Sequence, residues 1–251
     1  MQKPADFPVT VSVLTPAYQA QAVLARAVAS VQAQTCTDWE MIVVDDGSDD
    51  GTLAVARSLA LAEPRLRVIH SRKGQGAAGA RNTALAAAQG RYIAFLDADD
   101  AWMPDKLAQQ LAQMQAQGAG LGYTGFTRIA AGQERPVRVP AQVTRAQLLR
   151  GNVICCSSAV YDRAVVGSPP MPDLEMRQDY ALWLELLAQV PYATGVTAPL
   201  VRLHTTPGSL SSNKWRAMAA TWAMHRHHFG TSPLRAAFYV AAHTQGRLRR
   251  G

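Results

Sequence analysis

Two clusters of acidic residues in this sequence have the spacing of sites that bind cations or nucleotides. They are Asp45-Asp46-Gly47-Ser48 and Asp97-Ala98-Asp99-Asp100. Carboxylates held this close repel one another, so a cation or hydrogen-bond donors between them would best explain the arrangement. Asp97 and Asp99 suit a hard divalent ion, because their oxygens can bind it while diphosphate oxygens and water complete an octahedral shell. For either cluster alone, a solvated acidic turn is the alternative.

A divalent ion at Asp97 and Asp99 would neutralise a diphosphate leaving group, which is what transfer from a nucleotide sugar requires. The pair Asp45-Asp46 has a different chemistry, since a carboxylate there can accept hydrogen bonds from a base or a ribose. Tyr18, ahead of both clusters, can stack on a base. Each of these motifs alone is weak evidence for a nucleotide-sugar site, but the ordered set along the chain is strong evidence.

The elements that must position these clusters alternate between strands and helices. Short apolar runs predict strands at residues 9–14, 41–44, 66–69 and 92–96, and helical spacing predicts helices at 22–34, 52–61 and 80–89. Such alternation indicates a doubly wound, mainly parallel α/β sheet. Ligands bind beyond the carboxyl ends of parallel strands, so Tyr18 and both acidic clusters should converge on one crevice.

The regular alternation of strands and helices ends after residue 96. We predict helices at 105–117 and 180–188, strands at 120–129, 159–161 and 201–204, and a polar excursion or edge hairpin at 132–145. Two alanine-rich helical patterns end the chain, and no linker separates independent domains. We therefore expect one domain over residues 1–212, with a nucleotide-sugar-binding half (1–105) and an acceptor-binding half (106–212), followed by a basic helical extension (213–251).

Three runs carry a resemblance to a known family: VSVLTPAYQ, WEMIVVDDGSDDGT and GARNTALAAAQGRYIAFLDADDAWMPDKL. In this order they resemble the inverting family 2 glycosyltransferases, densely over residues 9–107 and more thinly afterwards. The resemblance implies the GT-A fold, a mixed and mainly parallel central sheet flanked by helices. It also implies transfer of a sugar from a nucleoside-diphosphate donor, with a UDP-sugar favoured, to a hydroxyl of a glycan or lipid-linked acceptor, with Mn²⁺ or Mg²⁺ as cofactor.

The resemblance also implies roles for individual residues. Those expected to hold the donor are Pro16, Ala17, Tyr18, Asp46, Arg81 and Asp97. Asp97 and Asp99 match the metal-binding acidic motif, with Asp99 the first choice as a ligand. Downstream, Arg202 and His204 resemble part of an Arg-x-His…Ser loop, in which Arg202 would meet the diphosphate and His204 would be a further metal ligand. For His204, a structural role at the end of a strand is the alternative.

The family's catalytic base aligns with Asp179, ahead of an aromatic residue and an apolar helix. Gln178 departs from the usual Glu, which puts a second carboxylate role in doubt but leaves the base. A carboxylate opposite the leaving group can remove the proton of the acceptor hydroxyl as its oxygen attacks. The alternative for Asp179 is a helix N-cap, and Asp173 and Glu175 are nearby substitutes for the base.

A second function class comes from Gly74-Gln-Gly76-Ala-Ala-Gly79, which matches the dinucleotide fingerprint of an NAD-dependent oxidoreductase. Four residues separate the preceding strand from Gly74, which is too many for a glycine turn directly off the strand. The strand at 92–96 is also followed by three acids, where ribose recognition needs one. In a glycosyltransferase this loop would present Arg81 and Asn82 to the donor. A catalytically inactive nucleotide-sugar-binding protein is a third possibility.

The net charge of +7 is unevenly distributed along the 251 residues. Glu185 is the last acidic residue, and basic residues follow it at Arg202, Lys214, Arg216, Arg226, Arg235, Arg247, Arg249 and Arg250. Because the preceding body is close to neutral, we expect no nucleic-acid partner. With 3 cysteines, no CxxC pair and no export signal, we expect a cytoplasmic protein without disulfides.

The C-terminal helices combine aromatic residues with arginine. One stripe at helical spacing holds Trp215, Met218, Trp222 and Phe229, and a second holds Leu234, Phe238 and Ala241. Without acidic neighbours, such helices suit peripheral contact with an anionic membrane at the inner face of the cell membrane. Packing over the sheet edge is the alternative. The three histidines at 225, 227 and 228 are expected to be a solvated polar face rather than a metal site.

Overall fold

The computed structural model describes residues 7–71, 74–204 and 214–250, without the side chains of 214 and 246–250. Within these ranges ten strands form one sheet. They are β1 (Val9–Ala17), β2 (Trp39–Asp45), β3 (Leu66–His70), β4 (Gly90–Phe95), β5 (Ala101–Trp102), β6 (Leu121–Ala130), β7 (Gln133–Val137), β8 (Gln142–Val143), β9 (Val160–Asp162) and β10 (Ala193–His204). The expected loop after His204 lies outside the described residues.

The strand order is β3-β2-β1-β4-β9-β6-β10-β5, with β7 added to β6 and β8 to β10. The first four strands are parallel, β9 is antiparallel to β4 and β6, and β10 is parallel to β6. The helices are α1 (Leu24–Gln32), α2 (Thr52–Ala62), α3 (Gly76–Ala87), α4 (Lys106–Gln117), α5 (Arg145–Leu148), α6 (Arg163–Val166), α7 (Gln178–Leu186), α8 (Lys214–Ala223) and α9 (Pro233–Arg250). A 3₁₀ turn spans Cys156–Ser158, and a π-helical turn spans Met224–His228.

Both faces of the sheet are covered by apolar side chains. Leu14 of β1 faces the layer that contains α3 and α7, whereas Val13 faces the layer that contains α1, α2 and α4. All seven residues of β2 are buried, as expected for a parallel strand with helices on both sides. The predicted α/β fold class is confirmed.

Two predicted boundaries near β4 were wrong. Helix α3 begins at Gly76 rather than at residue 80, and β4 begins at Gly90, directly after the predicted helix 80–89, rather than at residue 92. A Cβ atom at Gly90 would lie 2.5 Å from the backbone nitrogen of Ser12. Gly90 is therefore required by the close approach of β1 and β4, and not by a helix end.

The acceptor-side strands contain a longer element than the sequence indicated. The predicted strand at 201–204 is the end of the 12-residue β10, which has register shifts against β6 between Val196 and Val201. Pro199 and these irregularities hide its first part from a pattern search. The expected excursion at 132–145 is confirmed as a hairpin of β6 with β7, followed by β8.

The C-terminal helices pack on the domain mainly through residues other than the predicted stripe, of which Phe229 packs against the core. Ala217, Thr221, Met224 and His225 are buried, whereas Trp215 and Trp222 are exposed. The expectation that His225 belongs to a solvated polar face was therefore wrong. Arg177, directly before α7, donates to the Thr221 hydroxyl at 3.1 Å, and His228 pairs with Glu185 at 2.6 Å. None of the helices in the described part of the chain is long and apolar enough to cross a membrane.

His225 gives this packing a pH dependence that can be tested. Its ring lies among Tyr180, Phe229 and Tyr239, and burial followed by the charge of Arg145 lowers its pKa to about 4. The folded state therefore disfavours protonation, so stability should decrease as the pH falls below the ordinary histidine pKa. In urea unfolding, His225→Phe should reduce the loss between pH 7.5 and pH 5. The exposed His227→Gln is the control, and an equal loss in both variants would contradict the prediction.

Candidate active site

The ends of β1 and β2 bring the first group of predicted residues together. Ala17 pairs with Asp45, and the N–H of Asp46 donates to the carbonyl oxygen of Ala17 at 2.9 Å. Ala17 is buried, Pro16 is partly buried, and the side chain of Tyr18 is 63% exposed. Tyr18 thus projects at this edge, where an aromatic face is available to a planar ligand.

Asp46 has a structural contact that the sequence did not indicate. Its Oδ1 accepts the N–H of Gln75 at 2.7 Å, and its Oδ2 accepts the N–H of Gly76 at 2.8 Å. These are N–H groups at the start of α3, where a dinucleotide pyrophosphate would have to bind. Asp46 therefore ties the glycine segment to β2 and occupies that helix terminus.

Asp45 lies beneath this edge and is fully buried. Its Oδ2 lies 2.8 Å from Nδ1 of His70 at the end of β3, whereas its Oδ1 has no hydrogen-bond partner among the described residues. A buried carboxylate oxygen without a partner is an acceptor available to a ligand donor or a water. His70 was not a predicted site residue, because only the pairing of β2 with β3 places it beside Asp45.

Arg81 links α3 to the acidic loop after β4. Its buried guanidinium forms an ion pair with Asp97, and its Nη1 lies 3.8 Å from Sδ of Met171. We expected the next residue, Asn82, to face the donor, but its side chain is bound to Met171 instead. Its side-chain amide donates to the Met171 carbonyl at 2.9 Å and accepts the Met171 N–H at 2.7 Å, which fixes the segment before α7.

Asp99 carries a negative charge in a site that disfavours it. Burial, and then the neighbouring Asp97, raises the pKa of Asp99. Arg26 donates to the Asp99 carbonyl at 2.6 Å rather than to its carboxylate. A cation bound by Asp97 and Asp99 would relieve this cost, so the donor set fits a hard divalent ion.

The third expected metal ligand, His204, is not gathered with these carboxylates. No group of three His, Cys, Asp or Glu residues within the described ranges could hold a metal ion together. The backbone N–H of His204 is bound to Asp100, and its Nδ1 is buried without a hydrogen-bond partner. Two carboxylates therefore leave the other positions of an ion to diphosphate oxygens and water.

The buried carboxylate of Asp100 accepts hydrogen bonds that hold the acidic loop in place. Its Oδ2 accepts from the Ser157 hydroxyl at 2.5 Å, and its Oδ1 accepts from the N–H of His204 at 3.0 Å. The same Ser157 oxygen accepts the N–H of Asp97 at 3.1 Å. Three chain segments, the loop after β4, the 3₁₀ turn and the end of β10, are held together by one carboxylate and one hydroxyl.

Removing the Ser157 hydroxyl should therefore disturb catalysis without unfolding the protein. We expect Ser157→Ala to lower kcat/KM by about 10- to 100-fold, because Asp97 loses its fixed position. Ser158→Ala is the matched control, since that hydroxyl donates only to the Cys155 carbonyl of its own turn at 2.7 Å. Folding of both variants would be checked by circular dichroism. Equal activities of the two variants would contradict the role of the Ser157 hydroxyl in positioning Asp97.

Asp179 lies in the first turn of α7 and is partly buried. The helix begins at Gln178, and its N-cap position is Arg177 with φ of 69°, so the N-cap alternative for Asp179 was wrong. Burial raises the pKa of Asp179, whereas the Tyr180 N–H and the charges of Arg81 and Arg177 lower it. Asp97 also acts on this pKa, which places Asp179, Arg81 and Asp97 in one electrostatic cluster.

The two substitutes for the base face elsewhere. Glu175 forms an exposed ion pair with Arg216 of α8. Asp173 is exposed and lines a polar cleft of about 470 Å³ beside Gln75, Gly79 and Asn82. Neither is part of the cluster that includes Asp97, so Asp179 has the better position of the three.

Arg202 is beside the acidic loop, but its guanidinium has a protein partner. Its backbone pairs with Ala101 of β5, directly after Asp100. Its side chain forms an ion pair with Glu134 of β7, and both side chains are about half exposed. A diphosphate would have to compete with Glu134 for this group.

Cys155 and Cys156 also lie near this cluster, a position that we did not predict. Burial raises the pKa of both thiols, and the charges of Asp97 and Asp179 raise them further. Arg81 opposes this shift at Cys156 only. Both cysteines therefore stay protonated and contribute uncharged walls to the site.

Comparison with known proteins identifies the family. The family described as Glycosyl transferase family 2 matches residues 12–167. The chain belongs to this family. TuaG of Bacillus subtilis (strain 168), whose name refers to a glycosyltransferase of teichuronic acid biosynthesis, is 38% identical over 86% of this chain and 87% of its own. The Escherichia coli protein named UDP-Glc:alpha-D-GlcNAc-diphosphoundecaprenol beta-1,3-glucosyltransferase WfgD is 32% identical over 92% of this chain and 90% of its own.

Solved structures agree in fold. TarS of S. aureus, residues 1–349 in complex with UDP-GlcNAc, superposes with a TM-score of 0.71 at 18% identity, covering 86% of this chain and 66% of that one. Of a longer TarS chain, this protein spans 41%. The mannosyltransferase PcManGT of Pyrobaculum calidifontis, in complex with GDP-Man and Mn2+, gives a TM-score of 0.66 at 20% identity, covering 96% of this chain and 72% of that one.

The family and the fold confirm that the chain is a GT-A glycosyltransferase. The oxidoreductase alternative was wrong, and Asp46 gives the physical reason. The N–H groups at the start of α3, which a dinucleotide pyrophosphate would need, are bound by the Asp46 carboxylate.

Proposed function

We propose that this glycosyltransferase moves a sugar from a nucleoside-diphosphate donor, with a UDP-sugar favoured, to a hydroxyl of a glycan or lipid-linked acceptor, inverting the anomeric carbon. The observation that carries the proposal is the cluster of Asp97, Arg81 and Asp179 beside the exposed Tyr18 edge. It joins a carboxylate site for a cation, a buried positive charge and a partly buried base at the edge of the sheet where ligands bind.

In this proposal the donor's nucleotide lies along the ends of β1 and β2. Tyr18, which is exposed at this edge, stacks on the base. Asp97 and Asp99 would hold Mn²⁺ or Mg²⁺, and the bound ion would supply positive charge for the diphosphate leaving group. Arg81 keeps Asp97 in place through their ion pair.

Asp179 acts as the general base. Its carboxylate takes the proton of the acceptor hydroxyl while that oxygen forms a bond to the anomeric carbon, and the bond from this carbon to the diphosphate oxygen breaks. Burial raises the pKa of Asp179 and so increases its proton affinity, while the charges of Arg81 and Arg177 favour its ionised form. The attack comes from the face opposite the leaving group, so the configuration inverts.

The names of relatives support the donor and acceptor classes. WfgD and WfaP, 32% identical to this chain, are named as transferases from UDP-Glc to a GlcNAc-diphosphoundecaprenol acceptor. By this analogy the acceptor here is a lipid-linked glycan. Such an acceptor would place the enzyme at a membrane surface, on the cytoplasmic side where nucleotide sugars are available.

Ligand-dependent thermal stability tests the donor site before any acceptor is known. UDP together with Mn²⁺ should raise Tm by several degrees, because a ligand that binds only the folded state stabilises it. UDP with a chelator should give a smaller shift, and NAD should give none. A shift by NAD equal to that by UDP with Mn²⁺ would contradict the proposed donor class.

A further inference from the structure

The last two helices expose apolar residues on the sides opposite those that carry their buried residues. In α8 the buried Ala217 and Thr221 face inward, while Trp215 and Trp222 are 80% and 37% exposed on the opposite side. In α9 the buried Ala236 and His243 face inward, while Leu234 and Phe238 are 86% and 56% exposed. We call Trp215, Trp222, Leu234 and Phe238 the outer apolar face.

A groove beside this face combines apolar and cationic groups. It has a volume of about 310 Å³ between α5 and α9, and its walls include Leu149, Leu234 and Phe238. Arg150 and Arg235 also line it, and the Arg150 guanidinium lies 6.0 Å from the centre of the Phe238 ring. Apolar side chains next to guanidinium groups match the boundary between lipid chains and lipid phosphates.

The charge of this part of the chain narrows the choice of partner. No acidic residue follows Glu185, so α8 and α9 carry basic side chains without any acidic residue of their own. A purely apolar partner would not require this bias, whereas a surface that carries phosphate would. Apolar side chains exposed singly are normal, but Leu149, Leu234 and Phe238 line one groove, and contiguous apolar patches mark sites that meet a partner or a membrane.

We propose that the outer apolar face and the Arg150–Arg235 groove form a docking surface for a bilayer that contains anionic phospholipids. Leu234, Phe238 and the tryptophans enter the boundary between headgroups and chains, and the arginines pair with lipid phosphates. This rests on the membrane-proximal position proposed above and names the surface and the lipid chemistry that produce it. A second copy of the chain is the competing occupant, and the test separates the two.

The test is sedimentation of the full chain with vesicles of phosphatidylcholine alone or with phosphatidylglycerol. The wild type should bind the phosphatidylglycerol vesicles at low salt and release them at high salt. The double variant Leu234→Gln/Phe238→Gln should bind these vesicles at least about tenfold more weakly. It lacks two apolar side chains whose transfer from water into the bilayer would favour binding. Leu61→Gln is the matched control, since Leu61 of α2 is 91% exposed outside this surface.

Each outcome decides the proposal. Loss of binding in the double variant with retention in Leu61→Gln supports it. Wild type that ignores phosphatidylglycerol vesicles, equal binding by all three proteins, or a dimer that the double variant dissociates in sedimentation velocity would overturn it. The thermal shift by UDP with Mn²⁺, measured on the same samples, reports separately on the transferase site. Failure of docking is therefore distinguishable from failure of the proposed function.

Discussion

Asp179→Asn is expected to abolish transfer while nucleotide binding stays nearly intact. Asparagine keeps the size of the side chain and can remain at the start of α7, but it cannot take a proton from the acceptor hydroxyl. General-base catalysis contributes about 100- to 10,000-fold, so kcat should fall by about that factor. The measurement is sugar transfer at saturating donor, together with UDP affinity by calorimetry.

Asp173→Asn is the matched control for this variant. Asp173 is an exposed carboxylate of the preceding segment, outside the cluster of Asp97 and Arg81. It should keep most of the wild-type activity. If Asp179→Asn loses nucleotide affinity and transfer equally, Asp179 supports donor binding and is not the base.

Asp99→Asn is expected to remove the metal dependence of donor binding. With one carboxylate fewer, the ion loses a charged ligand, and we expect transfer to fall by about 100-fold or more. UDP affinity measured with and without Mn²⁺ should then differ little, whereas in the wild type Mn²⁺ should strengthen it. The variant should also be no less stable than the wild type, since burial and Asp97 disfavour the native charge of Asp99.

Asp105→Asn controls for the loss of one negative charge near the same loop. Asp105 is exposed at the start of α4, and its carboxylate makes no capping hydrogen bond to that helix. It should retain the response of UDP affinity to Mn²⁺. A strong response to Mn²⁺ in Asp99→Asn would place the ion elsewhere.

The nucleotide-binding half was largely predictable because its signals are local. Apolar runs of strand length end at polar residues, and parallel strands deliver those residues to one edge. Tyr18, Asp46 and Asp97 could therefore be placed together before the sheet order was known. The same logic selected the α/β class and the correct order of elements.

The contacts that hold the site were not predictable, because they join residues far apart in the chain. Asp46 binds backbone N–H groups of residues 29 and 30 positions away, and no local pattern encodes that choice. Ser157 joins Asp97 and Asp100 across 60 and 57 positions, from a short turn with no sequence signature. The fingerprint of three glycines was misleading for the same reason. A distant residue, Asp46, binds the N–H groups at the start of α3 that a dinucleotide would need.

The tail shows a different limit of pattern reasoning. Helical spacing correctly predicted helices in the last part of the chain, but Trp215 and Trp222 of the apolar stripe are exposed, and only Phe229 of that stripe packs against the core among the described residues. Ala217 and Thr221 are buried instead, and Arg177 donates to the Ala217 carbonyl and the Thr221 hydroxyl. Packing over the sheet edge, the alternative for the stripe, therefore does not hold for Trp215 and Trp222.

The configuration of the product tests the central claim most directly. The full chain, Mn²⁺ and a panel of α-linked UDP-sugars would be incubated with a GlcNAc-diphosphate-lipid acceptor, and the anomeric proton of the new linkage would be read by NMR. Inverting transfer at the Asp97, Asp99 and Asp179 site predicts a β-linked product from one donor of the panel. An α-linked product, or donor consumption without a new glycosidic bond for every donor, would contradict it.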